Sequence, residues 1–359
     1  MSKLKGFVAA CALVLAVGAL LAGVCTGSAR AGGVVFFIDA QHGWESTLDG
    51  SSDLPTAQTT AWRTVNGGAS WRQLATRTAG DVEGVAWSGF FAFATHSTGI
   101  WVRPGRTVLR TTNAGAGWHN VPGVRSAWLN DASFATSRVG WACGEAPGIP
   151  AGGVIVKTSD AGASWHVQKQ INGQLYHGLS EVSCPTATSC YVLGWGGGLH
   201  GLWATADGGR HWARRQLPDS GSADGWGASI DFPTATTGWL IGQGGVMAKT
   251  TNRGRTWRTV HSGTGEDLTG VSFCNSLVGY AVGDSGTVLR TTDAGATWVT
   301  LSDPSYSGSN YAAVTCIDAA HTWIIDAYGN VYATGDGGDT WAANGVYPSS
   351  PRMAPGEDR

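Results

Sequence analysis

Seven copies of one eight-residue turn recur along this chain, and their spacing constrains the fold more than any other feature. The tryptophans that end the copies lie 41 to 47 residues apart. A period in the forties, built from strand-like segments, is what a four-stranded propeller blade requires. We therefore predict an all-β chain that folds as a seven-bladed β-propeller of four-stranded antiparallel blades. The copies are TVNGGASW (ending at Trp71), TTNAGAGW (Trp118), TSDAGASW (Trp165), TADGGRHW (Trp212), TTNRGRTW (Trp257), TTDAGATW (Trp298) and TGDGGDTW (Trp341).

The chemistry of the turn explains why the same residue types return. A side chain of Asp or Asn accepts hydrogen bonds from backbone N–H groups of its own turn, the glycine two positions later adopts a positive φ without a Cβ penalty, and the tryptophan packs between sheets. We assign the copies a structural role first. The acceptors are Asn66, Asn113, Asp160, Asp207, Asn252, Asp293 and Asp336.

The pattern S/T-x-D-x-G-x-S/T-W resembles the Asp-box (BNR) repeat. That repeat occurs in sialidases, sortilin-type receptors, xyloglucan hydrolases and the photosystem II stability/assembly factor family. The resemblance implies that each Asp-box turn connects the third and fourth strands of a blade.

The cleanest repeat runs from Asp267 to Leu301 and gives the anatomy of a blade. It predicts strand A at Thr269–Phe273, strand B at Gly279–Val282, strand C at Thr287–Thr291, and strand D from Thr297. In blade 2 the same alignment places strand A around Val85 and an insertion between strands A and B at Ser88–Thr98. We expect the ring to close without a strand borrowed from the other terminus; closure by exchange is the alternative.

Antiparallel order decides which connections share a face of the propeller. The A–B connections and the Asp-box turns lie on one face, called here the turn face, and the B–C and D–A connections lie on the other, the loop face. Because loops carry function while scaffolds repeat, we predict that a binding site lies on the loop face. Its predicted insertions are Glu45–Ala57, Gly144–Gly153, Gly194–Gly201, Pro218–Trp226 and Ser302–Asn310.

The first 31 residues have the pattern of an export signal. Lys3 and Lys5 precede an apolar run from Phe7 to about Val24, and Ala29-Arg30-Ala31 is a small-x-small cleavage site. An uncleaved anchor is the competing interpretation, because the run is nearly long enough to span a bilayer. We therefore predict a signal peptide at 1–31, a propeller at 32–347, a polar tail at 348–359, and an extracellular, periplasmic or cell-envelope location without a membrane span in the mature chain.

Cleavage also sets the charge of the mature chain. It removes three of the 23 basic residues and none of the 25 acidic ones, which leaves a net charge of −5. This balance argues against nucleic acid as a partner. In an exported protein we expect Cys184 and Cys190 to form a local disulfide; a Cys274–Cys316 bridge is conceivable, and Cys143 is expected to be a small buried hydrophobe.

We expect no catalytic site. In the sialidases that the repeat resembles, three arginines grip the substrate carboxylate, yet no arginine occurs between Ala31 and Trp62 and no Phe-Arg-Ile-Pro-like segment is present. Glycosidases need two carboxylates that flank the scissile bond, and the glutamates show no pairing; Glu45 and Glu145 fall in predicted loops as solvated side chains. The histidines lack metal-like spacing, so we predict no metal and no cofactor.

Two sets of residues are candidates for binding. On or near the loop face, tryptophans can stack on a sugar or anchor a protein, although packing between blades accounts for lone tryptophans equally well. At one repeated position of strand C, basic residues can form an arc that meets an acidic partner; the alternative is that they extend along the sheet beside the carboxylates of the turns. The first set is Arg103, Arg106, Trp128, Trp195, Trp226 and Tyr306, and the second is Arg63, Arg110, Lys157, Lys249 and Arg290, with Ala204 and Ala333 as interruptions.

The segment GYAVGDSGTVLRTTDAGATW is similar to the blade consensus of the photosystem II stability/assembly factor family. The resemblance implies an exported, non-catalytic propeller that binds membrane-protein precursors, partly through arginines. Our hypothesis is therefore a scaffold or assembly factor whose partner is a protein of the cell envelope. The alternative is a glycan-binding or glycan-hydrolysing protein of the sialidase class.

Overall fold

A computed structural model describes residues 34–49, 58–78, 89–103, 107–122, 127–146, 152–171, 178–194, 201–218, 229–305, 308–327 and 329–343. The predicted signal peptide and polar tail lie outside these ranges, as do Arg106, Trp195, Trp226 and Tyr306. Within them, no helix has the length and apolar character needed to cross a bilayer.

The described residues form seven four-stranded antiparallel sheets, each built from consecutive strands, so the predicted seven-bladed propeller is confirmed. A 3₁₀ turn at Gln243–Gly245 joins two strands of blade 5. The strands of blades 1 to 4 are β1 Val34–Phe37, β2 Gly43–Asp49, β3 Gln58–Thr64, β4 Arg72–Thr78; β5 Phe90–Phe93, β6 Gly99–Arg103, β7 Thr107–Thr111, β8 His119–Asn120; β9 Trp128–Phe134, β10 Gly140–Ala146, β11 Gly152–Thr158, β12 His166–Ile171; β13 Leu179–Ser183, β14 Cys190–Gly194, β15 Gly201–Thr205 and β16 Ala213–Arg215. Those of blades 5 to 7 are β17 Ser229–Asp231, β18 Gly238–Ile241, β19 Met247–Thr250, β20 Arg258–Val260; β21 Leu268–Phe273, β22 Gly279–Gly283, β23 Val288–Thr291, β24 Val299–Thr300; β25 Tyr311–Cys316, β26 Thr322–Asp326, β27 Val331–Thr334 and β28 Ala342–Ala343.

One expectation about blade 2 is wrong. Its strand A is β5, Phe90–Phe93, which pairs with β6, so Ser88–Thr98 is not an insertion between strands A and B. The physical reason is a pair of residues six apart: a phenylalanine that ends strand A packs over the glycine that begins strand B. A Cβ atom at Gly99 would lie 2.5 Å from the Phe93 ring. The same spacing recurs in blades 1, 3, 5 and 6 at Phe37/Gly43, Phe134/Gly140, Phe232/Gly238 and Phe273/Gly279.

Blade 4 has cysteines at these two positions. The structure joins Cys184 to Cys190, so a covalent bond takes the place of the phenylalanine–glycine contact. It also joins Cys274 of blade 6 to Cys316 of blade 7 and buries Cys143 as a free thiol.

Two glutamates lie in strands rather than in the predicted loops. Glu45 is buried in β2, and this burial raises the pKa of its carboxyl to about 8. Glu145 is half-buried near the end of β10. Neither is the solvated loop carboxylate that the sequence predicts.

Carboxylates of the inner strands connect neighbouring blades. Asp131 of β9 accepts a hydrogen bond from the backbone N–H of Val182 at 2.7 Å, and Glu181 of β13 accepts one from that of Ile230, also at 2.7 Å. A buried carboxylate needs such donors to offset its desolvation. Blades 3, 4 and 5 are therefore joined near the axis through side chain to backbone contacts.

Blade 7 closes the ring directly onto blade 1. The rings of Trp323 and Phe37 stack with centroids 4.0 Å apart, and the indole N–H of Trp323 donates to the carbonyl of Gly67 at 3.3 Å. Each of the two blades keeps its own four strands, so closure occurs without strand exchange.

Candidate functional site

All seven octapeptide turns share one hydrogen-bond network. In blade 3, for example, Asp160 accepts from the backbone N–H of Ser164 at 2.9 Å and from the hydroxyl of Thr158 at 2.8 Å. The threonine hydroxyl in turn accepts from the backbone N–H of Gly162 at 2.9 Å. The closing tryptophan is buried in this blade and half-buried in the six others. In the six other turns the backbone N–H four residues further along the chain donates equivalently to Asn66, Asn113, Asp207, Asn252, Asp293 and Asp336.

In six of the seven blades the carbonyl of the fourth turn residue receives a donor from the preceding blade. In three blades that donor is the basic residue of strand C. The side chains of Arg110, Lys157 and Lys249 donate to the carbonyls of Ala161, Gly208 and Ala294 at 2.8, 2.7 and 2.6 Å. Three members of the predicted basic series therefore hold the next blade in place.

In three other blades an aromatic residue of strand B supplies the donor. Trp44 donates to the carbonyl of Ala114 at 3.1 Å and Tyr280 to that of Gly337 at 2.9 Å, as Trp323 does to Gly67 across the closure. Blade 4 has Ala204 at the strand C position, and its Tyr191 donates to the carbonyl of Ala235 in another turn of blade 5.

In the blades of Arg63 and Arg290, the aromatic residue of strand B already donates to the carbonyl of the neighbouring turn. Their guanidinium carbons lie 5.7 Å and 5.9 Å from the ring centroids of Trp44 and Tyr280, within range of a cation–π contact. Their Nε atoms have no hydrogen-bond partner among the described residues. These two arginines are held by stacking, and their Nε atoms are buried.

Strand D adds a second row of basic residues beside the first. The residue directly after the turn tryptophan pairs across the sheet with the strand C position, and in four blades both are basic. The strand D members are exposed. The pairs are Arg63/Arg72, Arg110/His119, Lys157/His166 and Lys249/Arg258; together with Arg290 we call these nine residues the basic band.

Like charges that face each other across strands repel. This repulsion contributes to the lowered pKa of two side chains of the basic band. Burial, and then repulsion from Arg72, lowers the pKa of Arg63. Burial, and then repulsion from Arg258, lowers the pKa of Lys249. Both blades thus hold positive charge at a cost that a bound anionic group would reduce.

No described carboxylate forms an ion pair with any member of the basic band. The ion pairs within the described ranges all join a histidine to an aspartate. The sequence analysis missed the strand D row. The signal was available, since four of the seven turn tryptophans are followed by Arg or His.

The loop-face candidates within the described ranges have different surroundings. Arg103 is the last residue of β6 and is 7% exposed; its Nε donates to the hydroxyl of Thr59 at 3.0 Å, and its guanidinium lies over Trp101. It therefore joins blades 1 and 2 and does not lie in a loop. Trp128 begins β9 and is 42% exposed.

Three residues that the sequence leaves scattered come together on the turn face. Asp39, His42 and His96 place one ligand atom each within 4.8 Å of one another. Spacing along the chain did not reveal this group because His96 belongs to the next blade.

Comparisons with known proteins agree with the architecture. The family profile of the photosynthesis system II assembly factor YCF48 matches residues 169–270 and 229–349. A solved structure of YCF48 bound to D1 peptide is similar with a TM-score of 0.62 at 16% identity, over 86% of this chain and 92% of that one. YCF48 from Cyanidioschyzon merolae gives 0.60 at 17% identity, over 87% and 98%.

A GH74 enzyme of Niastella koreensis gives a TM-score of 0.40 at 16% identity, over 86% of this chain and 55% of that one. No curated protein matches the chain.

Proposed function

This chain belongs to the family of the photosynthesis system II assembly factor YCF48, and we propose that it is an exported, non-catalytic propeller that binds a protein of the cell envelope. The observation that carries the proposal is the basic band, whose nine side chains form no ion pair with a carboxylate among the described residues. A partner with an acidic segment would supply the missing charges.

The outer row is the accessible part of the band. Arg72, His119, His166 and Arg258 are exposed on strand D, at the outer edge of their blades. Arg63 and Arg290 lie on strand C of blades 1 and 6 and are half-buried. An extended acidic segment that runs along the rim would contact the exposed strand D residues of blades 1, 2, 3 and 5.

Family membership supports a protein partner. The relative whose solved structure contains a D1 peptide binds a segment of another protein, and we transfer to this chain only the class of partner. The signal-like residues 1–31 support export, and the two cysteine pairs suit an oxidising compartment.

Crosslinking mass spectrometry on native cell envelope tests the proposal. The wild-type chain is compared with an Arg72→Gln/Arg258→Gln variant, which lowers the net charge by two at exposed positions. We expect the wild type to crosslink to one specific envelope protein and the variant to lose most of that signal.

A matched control separates local contact from net charge. The Leu277→Glu/Ala342→Glu variant changes the net charge by the same amount at exposed positions of blades 6 and 7. Leu277 lies in the turn between β21 and β22, and Ala342 pairs with Ala333. This variant should retain the crosslinks. Loss of the partner in both variants would mean that binding depends on net charge and not on a local contact. Absence of any partner in the wild type, or capture of glycan or RNA instead, would contradict the proposal.

A further inference from the structure

The turn between β1 and β2 holds a carboxylate in a fixed position. The Asp39 carboxylate accepts hydrogen bonds from the backbone N–H groups of Gln41 and His42, both at 2.7 Å. The Nδ1 atom of His42 lies 2.9 and 3.0 Å from the two carboxylate oxygens. The backbone therefore orients one oxygen donor and one imidazole side by side.

A second imidazole comes from the neighbouring blade. The Nε2 atom of His96, in the turn between β5 and β6, lies 2.5 Å from Oδ2 of Asp39. The centroids of the two imidazole rings lie 5.1 Å apart and the rings are nearly perpendicular. Their nitrogen atoms therefore approach one carboxylate from different directions. The side chains of Asp39, His42 and His96 are 34%, 32% and 60% exposed, which leaves room for an incoming ion.

Both imidazoles lie within hydrogen-bond distance of the carboxylate, with nitrogen–oxygen separations of 2.5 to 3.0 Å. To bind an ion, each histidine must present a lone pair in place of an N–H, by a change of tautomer or by loss of a proton.

Blade 7 contains the same turn without the third ligand. Asp318 accepts from the backbone N–H groups of Ala320 and His321 at 2.8 and 2.9 Å, and Nδ1 of His321 lies 2.9 Å from its carboxylate. His96 lies three residues after Phe93, the last residue of strand A in blade 2. Blade 1 follows blade 7 around the ring, and the residue three positions after the end of its strand A is Ala40. The chain thus contains an aspartate–histidine pair that lacks a second imidazole, and this pair is an internal control.

We propose that Asp39, His42 and His96 form a binding site for a divalent transition metal, Zn²⁺ foremost, that links blades 1 and 2. Two imidazoles and one carboxylate are ligands that zinc accepts, and a water molecule completes four-coordination. The donor set is too rich in nitrogen for Mg²⁺ or Ca²⁺. The bound ion joins two A–B turns that belong to different sheets, so it stabilises their contact on the turn face.

Isothermal titration with ZnCl₂ tests the site on the tag-free mature chain after chelator treatment. We expect the wild type to bind one Zn²⁺ per chain. His96→Ala should lower the zinc affinity at least about 100-fold, because loss of even an outer-shell partner lowers metal affinity about 10–100-fold. The control variant His321→Ala removes the imidazole of the two-residue pair and should bind zinc as the wild type does. MgCl₂ should give no binding.

Thermal unfolding supplies a second reading. Because a ligand that binds only the folded state stabilises it, zinc should raise the midpoint of the wild type and of His321→Ala, and not that of His96→Ala. A wild type that binds no zinc, or equal loss of binding in His96→Ala and His321→Ala, would overturn the proposal. Circular dichroism of each variant establishes that it is folded before titration.

Discussion

Blades 2, 3 and 5 and blades 1, 6 and 7 make the same contact with the next blade by different means. In the first group a basic residue of strand C donates to the turn carbonyl, and in the second an aromatic residue of strand B does. The carbonyl is the constant element and its donor varies. In most blades of the series the basic residue serves the neighbouring turn. Arg63 and Arg290 instead stack on an aromatic ring, and their buried Nε atoms have no hydrogen-bond partner among the described residues.

The largest expected effect comes from removing an aromatic donor. Trp44 is fully buried, stacks on Phe93 with ring centroids 3.6 Å apart, and donates to the next turn. Trp44→Ala should lower the free energy of unfolding by about 3–5 kcal/mol, as for other large aromatic truncations. Urea denaturation measures this loss. A cost no greater than that of Arg63→Ala would show that the stacked ring contributes little.

The basic donors should show a smaller, blade-specific effect. Lys157→Met keeps the apolar stem against Trp141 and removes the hydrogen bond to Gly208. We expect a loss of about 1–2 kcal/mol, the lower part of the range for bonds to charged groups, since Lys157 is only partly buried.

Arg290→Met is the matched control for that experiment. Tyr280 already serves the neighbouring turn in its blade, so the change should cost less than about 0.5 kcal/mol. Equal losses in Lys157→Met and Arg290→Met would remove the distinction between the two groups of blades.

Removing the phenolic hydroxyl of Tyr280 sharpens the comparison further. Tyr280→Phe keeps the ring and deletes the donor to Gly337, and should cost about 1 kcal/mol, the net value of a typical hydrogen bond. The double variant Tyr280→Phe/Arg290→Met shows whether Arg290 replaces the missing donor. A double variant that loses clearly more than the sum of the single changes would establish that replacement.

The pH dependence of stability should also change, at the inner strands of the same interfaces. Burial raises the pKa of Asp131 to about 7, against hydrogen bonds from Val182 and Ala132 that lower it. The folded chain then binds a proton that the unfolded chain has released, so this contribution to stability is complete below pH 4 and is lost as pH rises through about 7. Asp131→Asn should make the fall in free energy of unfolding between pH 4 and 7 shallower when urea denaturation is measured at each pH.

The sequence predicts the fold because the length of the repeat and its turn residues define one blade. The turn tryptophans set the period, and the period sets four strands per blade. The sequence analysis misplaced strand A of blade 2. The Phe93/Gly99 pair, six residues apart, marks the end of strand A and the start of strand B, and that spacing was overlooked. Arg103 was assigned to a loop since its partner Thr59 belongs to the preceding blade.

The candidate site was predictable only in part. Strand C could be aligned directly, but the meaning of its basic residues depends on a carbonyl about 45–51 residues further along the chain. Arg72 lies opposite Arg63 only because of cross-strand register, and Asp39 meets His96 across two blades, 57 residues apart. Contacts of this kind are set by the closed ring.

The central claim is that strand C bases hold the ring together while the strand D row binds the partner. The most direct test measures stability and partner capture together in two double variants, Lys157→Met/Lys249→Met and Arg72→Gln/Arg258→Gln. We predict that the first variant unfolds at lower urea and still captures the partner while folded, and that the second keeps wild-type stability and loses the partner. The opposite pattern, or loss of capture in the first variant alone, would contradict the account.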